Sequence, residues 1–186
     1  MILAKGGRRD RVLESITDKE RLGGGQEGVV FDVEVKAFGK SRRMVEKRFP
    51  VIHDAQLDQD TVRDFPVREN LTPGYRNPTE QFRLFEKLKA ADREKGLHLR
   101  LPATVRLTEG HGDRPTLLLT KTDVVRGRLA PEEDLAFRED RLRQKASADS
   151  AGFSLTDECF KPVRDKHTGR VQAYLVDFGL VQEKRP

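Results

Sequence analysis

The sequence predicts an α+β chain, and three observations carry that expectation. The first half holds short alternating apolar stretches separated by glycine turns, among them Val29-Val30-Phe31-Asp32-Val33-Glu34-Val35. A capped helix signal follows at Asn77-Pro78-Thr79-Glu80. The last thirty residues then read as a hairpin that ends in Asp177-Phe178-Gly179. At 186 residues the chain suits one domain or two small lobes, and with 36% charged against 35% apolar residues its core must be economical.

Composition excludes several classes. The single Cys159 rules out an internal disulfide framework, and His53, His98, His111 and His167 lack ligand spacing, so no structural metal is expected. No stretch reaches the length of a membrane span, and Met1-Ile2-Leu3-Ala4-Lys5 lacks the apolar core of a signal peptide. The expectation is a cytoplasmic chain with no membrane contact, with export by a non-classical route left open. The formal charge of +5 comes from 36 basic residues interleaved with 31 acidic ones, which describes a salt-bridged surface. With no tryptophan, two tyrosines and no basic-aromatic repeat, nucleic acid is not an expected partner.

The elements follow in order. Residues 11–22 read as a polar strand leading into Gly23-Gly24-Gly25, residues 29–35 as a second, and residues 42–49 as a third after the turn Phe38-Gly39-Lys40-Ser41. Together they form an antiparallel meander. Residues 50–76 are polar, with Asp54, Asp58, Asp60 and Asp64 and a turn at Pro73-Gly74, and read as an inserted loop or short helix. In the next helix Phe82, Leu84, Phe85, Leu88 and Ala91 define an apolar face. Residues 101–107 and 116–120, joined through Gly110-His111-Gly112-Asp113, bring the sheet to five strands. A charged helix over about 131–146 is expected to turn Leu135, Phe137, Leu142 and Ala146 inward. Finally, residues 160–163 and 171–176 pair around Asp165-Lys166-His167-Thr168-Gly169-Arg170.

Three motifs carry chemistry. Gly23-Gly24-Gly25-Gln26-Glu27-Gly28-Val29-Val30 fits G-x-G-x-x-G-x-V, where backbone N–H groups approach a phosphate only if no Cβ intervenes. Lys47 comes seventeen residues after Val30, far enough to run out one strand and return beneath the glycines, although alternation leaves its direction open. Asp177 ends an apolar strand, as a carboxylate must to hold a hard cation against phosphate. Each has a plainer reading: a ligand-free hairpin turn, an exposed strand lysine, and an acid closing a hairpin.

In this order and spacing the motifs resemble the protein-kinase-like family, over residues 22–181. The resemblance implies a two-lobed fold: a five-stranded antiparallel N-lobe sheet with one regulatory helix over about 11–120, and a truncated C-lobe over 123–186. It also implies ATP and Mg2+ as cofactors. Gly23, Gly25 and Gly28 would cradle phosphates, Val30 would face adenine, Thr120 and Thr122 would flank the adenine edge, and Asp177 would hold the metal. Lys47 would bind the inner phosphates and pair with a helix acid. The family register puts Gln81 where that acid belongs; Glu80, one residue earlier, is favoured as the partner, with simple helix capping as its other reading.

The catalytic loop departs from the family. In Gly152-Phe153-Ser154-Leu155-Thr156-Asp157-Glu158-Cys159-Phe160, Ser154 occupies the aspartate position and Cys159 the metal-binding asparagine position. Serine is no base near neutral pH and a thiol is a poor magnesium ligand; Asp149 or Asp157 is the candidate substitute acid. The reading is therefore an ATP- and magnesium-binding kinase-like domain with a degenerate catalytic loop. Alternatives are an active minimal phosphotransferase, a pseudokinase that docks a protein partner without nucleotide, and an unrelated basic β-rich adaptor. Few residues follow Gly179, so the helices that cover the lower lobe in the family are missing, which suggests oligomerisation through that surface.

Overall fold

The computed structural model describes residues 2–5, 11–13, 15–25, 28–49, 78–108 and 116–184. The insertion at 50–76, the cap Asn77, and the turn residues Gln26, Glu27 and 110–113 lie outside them. The chain is α+β and divides into two compact units, Met1–Phe82 with Ala103–Lys121 and Arg83–Pro102 with Thr122–Pro186.

The first unit is built on one antiparallel sheet. Its strands are β1 (Ile2–Lys5), β2 (Arg11–Leu13), β3 (Ser15–Gly25), β4 (Gly28–Ala37), β5 (Lys40–Arg48), β6 (Val105–Thr108) and β7 (Thr116–Thr120), in the order β2-β1-β6-β7-β5-β4-β3. Five are the expected strands. β1 and β2 extend the sheet beyond β6; the single strand expected over 11–22 is divided, with 11–13 forming β2 at this edge and 15–25 forming β3 at the other. β5 pairs with β4 on one side and β7 on the other, which makes it a central strand.

On one face of this sheet Val33, Val35 and Leu118 close with Leu13 and Ile16, and Phe31, Ala37 and Met44 pack at the edge of the cluster. The other face carries Asp32, fully buried, which accepts hydrogen bonds from Arg43 and from Lys121 Nζ at 2.6 Å. The Arg43 guanidinium, with Lys121 adding to it, holds the Asp32 carboxyl down to about 2 against the opposing effect of burial. Gly28 has a packing reason to be glycine, because a Cβ there would run into the Arg48 carbonyl oxygen of β5.

Helix α1 (Pro78–Lys95) starts in the first unit and ends in the second. It buries Gln81, Leu84, Phe85 and Leu88, one face at helical spacing, and leaves Glu80 and Glu86 exposed. Gly96, with φ 63°, ends it by donating its N–H to Asp92 O at 2.9 Å, a left-handed C-terminal cap.

The second unit holds α2 (Pro131–Ser150), the short strand β8 (Phe153–Ser154), a 3-10 turn (Asp157–Cys159), β9 (Phe160–Arg164), β10 (Val171–Leu175) and β11 (Gln182–Glu183). β9 and β10 form the expected hairpin, and β8 pairs with β11. Residues 83–102 also belong to this unit. The cause is visible in their bonds: Phe85 meets Phe178 edge to face at 5.3 Å, and Leu175 N–H reaches Arg100 O at 3.0 Å.

The inward face of α2 needs a correction. Phe137 is buried as expected, but Leu135 and Leu142 are 58% and 60% exposed, and Ala146 is exposed. Asp140, Gln144 and Ala148 face inward instead. Asp140 Oδ2 accepts the N–H of Ala173 at 2.9 Å, and Gln144 Nε2 donates to the Ala173 carbonyl at 2.7 Å. Two side chains one helical turn apart thus do for β10 what a neighbouring strand would do.

Candidate functional site

The residues expected to face phosphate lie on the face of the first sheet opposite the apolar cluster. β3 and β4 stay paired as far as Gly25 opposite Gly28, and Val30 lies directly opposite Lys47. Cross-strand partners share a face, so Val30, Lys47 and Leu117 project together. This settles the direction that alternation left open: Lys47 is 8% exposed and turns inward. Its Nζ donates to Gln81 Oε1 at 3.3 Å and stands 5.4 Å from the centroid of the Phe49 ring. Gln81, the family-register position, is a helix side chain that meets Lys47, and the favoured Glu80 is exposed on the same turn. At Gly23 a side chain would meet nothing nearby, so that glycine has no packing cause within the first unit.

Sequence reasoning missed the residue beside the lysine. Glu46, fully buried on the opposite face, accepts from Thr116 Oγ1 at 2.8 Å and from Arg48 Nε at 3.0 Å and Nη2 at 2.8 Å. Arg48 also pairs with Asp18 and lies 4.1 Å over the Phe31 ring. The network fixes which face of β5 each side chain takes. No strand pattern in the sequence distinguishes a buried glutamate from an exposed one.

Thr120 and Thr122 fall on either side of the boundary between the units. Thr120 donates its N–H to Thr104 O at 2.9 Å, and Thr122 O accepts the N–H of Val124 at 3.0 Å. Each expected adenine-edge residue already has one main-chain group engaged locally.

In the second unit the hairpin brings Cys159 and Asp177 together. The Cys159 carbonyl accepts the N–H groups of Val176 at 2.9 Å and Asp177 at 3.2 Å. The half-buried Asp177 turns Oδ1 to the N–H of Gly179 at 3.0 Å, while Phe178 packs into the interior against Phe85. Cys159 is completely buried beside Thr156 Oγ1, at 3.6 Å. Burial pushes its thiol up, and the negative Asp177 and Glu158 act in the same direction.

Ser154 lies half-buried in β8 opposite Gln182. Asp157 is exposed and held by Lys145 Nζ at 2.7 Å and Arg141 Nη2 at 3.1 Å, so its carboxyl sits below the usual range, chiefly through the Lys145 bond. Asp149 pairs with Lys184. Both candidate substitute acids are engaged by cations.

Among the described residues no group of three or more His, Cys, Asp or Glu side chains is arranged to hold a metal. Asp177 offers a hard oxygen ligand of the kind magnesium takes together with phosphate oxygens and water. The neutral thiol of Cys159 does not fit a second ligand position. Among the described residues no helix is long and apolar enough to cross a membrane. No family model and no curated protein matches the chain.

Proposed function

We propose that this chain is a kinase-like domain that binds a magnesium nucleotide of the ATP class, with phosphoryl transfer weak or lost. The observation that carries the reading is the buried Lys47, turned inward beside Val30 on a central strand and met by a side chain of the following helix. A family lysine does the same with a helix acid. Support also comes from the order of elements: a glycine-ended hairpin, the lysine strand, the helix, two further strands, and a hairpin ending in Asp-Phe-Gly. Lys47 would neutralise phosphate oxygens and Asp177 would hold the metal, whose charge offsets that of the phosphates. Ser154, Asp157 and Cys159 offer neither an available base nor a second hard ligand, which favours binding over transfer.

The test is thermal unfolding of the full chain titrated with ATP, with and without magnesium. A ligand that binds only the folded state raises the melting temperature by mass action. A magnesium-dependent rise is expected in the wild type, with loss in Asp177→Ala and in Lys47→Ala. No rise at millimolar nucleotide would overturn the reading in favour of a domain that docks a protein partner. If Ser154→Asp creates measurable phosphate transfer, the alignment of the degenerate loop gains support and the minimal phosphotransferase reading returns.

A further inference from the structure

The hairpin joining β4 and β5 has a tip that stability alone does not explain. Phe38 and Gly39 are consecutive left-handed residues, with φ 51° and 69°, as in the two-residue hairpin turns that favour Asn-Gly or Gly-Gly. A bulky aromatic residue is poorly suited to that conformation. Phe38 is also 74% exposed, more than any other large apolar side chain among the described residues. The position therefore combines backbone strain with an apolar ring held in water. Just behind it Val35 is buried and Ala37 packs against the same cluster, so the base of the hairpin is anchored while its tip projects.

The surroundings of the ring are basic. Residues 36–43 read Lys-Ala-Phe-Gly-Lys-Ser-Arg-Arg, four cations with no acid. Arg43 is engaged by Asp32, further down the hairpin. Lys40 lies opposite Ala37 and Arg42 opposite Val35, on one face, whereas Lys36 lies opposite Ser41 on the other. Cations thus emerge from both faces around an apolar point. Lys40 and Arg42 on one face, with the exposed ring at the tip, are the groups that an anionic layer would meet.

We propose that the Phe38 tip is a contact point for an anionic phospholipid surface, with the ring entering the headgroup layer and Lys40 and Arg42 meeting lipid phosphates. No membrane span is needed, although the contact departs from the sequence expectation of no membrane association. The proposal does not depend on nucleotide binding. A single-stranded nucleic acid would use the same charge, but it is read by several stacked aromatics along a groove, and this tip has one.

The experiment uses the full chain with vesicles of phosphatidylcholine alone and with about a third phosphatidylserine, at low and physiological salt. Co-sedimentation is expected with the anionic vesicles only, weakening several-fold as salt rises. Phe38→Asn suits the turn better, so it should melt at a higher temperature than the wild type and yet lose most vesicle binding. Because the chain has no tryptophan, Phe38→Trp supplies a single reporter whose emission should shift to the blue when anionic vesicles are added. Equal binding by Phe38→Asn, no blue shift, or capture by oligouridine without vesicle binding would each overturn the proposal.

Discussion

The hairpin around Gly28 and the loop from Phe153 to Cys159 are the two places where a kinase-like reading asks for specialised backbone, and they differ in what constrains them. At Gly28 the β5 backbone itself excludes a side chain, and the neighbouring Val30 and Lys47 are locked on one face by strand pairing. In the loop the backbone is also bonded, with Cys159 O holding the N–H of Asp177. The side chains there are a serine in a short strand, an aspartate between two cations and a buried neutral thiol. Main-chain geometry constrains a residue through sterics that few substitutions satisfy, whereas side-chain chemistry can be exchanged while the scaffold stands.

The largest effect is expected for Gly28→Ala. The added carbon collides with backbone rather than with a movable side chain, so a loss on the order of 3 kcal/mol is expected in denaturant unfolding. A loss below about 1 kcal/mol would mean that β4 and β5 slide apart cheaply, and the first half of the comparison would fail.

A second, smaller effect belongs to the same sheet. Asp32 is depressed in the folded chain to about 2 from an ordinary 3.8, so its contribution is complete above pH 4 and is lost as pH falls toward 2. With Arg43 half exposed and partly screened, the contribution is on the order of 1 to 2 kcal/mol. Unfolding free energy measured between pH 5 and 2 should lose that amount in the wild type and show a flatter slope in Asp32→Asn.

In the loop, the buried and upward-shifted thiol of Cys159 should resist an aromatic disulfide reagent at pH 8 and react promptly only in denaturant. Rapid native-state labelling would show that this segment opens far more easily than its hydrogen bonds suggest. The smallest effect is expected for Asp157→Ala, whose exposed ion pairs contribute no more than about 0.5 kcal/mol. That variant should also leave any nucleotide-dependent thermal shift unchanged; a lost shift would restore Asp157 to the site.

Much of the fold was legible because its elements carry strong local signals. The proline and glutamate at the start of α1, and the apolar residues that follow, announce a helix that runs from Pro78 to Lys95. The final hairpin is similarly marked by its turn residues. What stayed hidden was the location of buried polar groups. Glu46, Asp32, Asp140 and Gln144 look like ordinary surface residues in one dimension, because each also depends on a remote partner: Thr116 for Glu46, Lys121 for Asp32, Ala173 for Asp140 and Gln144. The same blindness misdirected α2, where exposed Leu135 and Leu142 imitate a core stripe. At the site, the expectation of Glu80 followed charge, and the buried helix face also brings the uncharged Gln81 to Lys47, which charge alone does not reveal.

The grip of Asp140 and Gln144 on Ala173 also bears on how the chain behaves when it is stressed. A strand with an open N–H and carbonyl is a template for another molecule's strand, and proteins protect such edges against runaway association. On β10 that protection comes from two side chains and the Arg100 carbonyl, none of which is itself a strand. Loosening α2 would therefore do more than cost stability: it would unmask Val171-Gln172-Ala173-Tyr174-Leu175 as a self-pairing segment. Asp140→Ala combined with Gln144→Ala should turn a solution cloudy on mild heating at temperatures where the wild type stays clear.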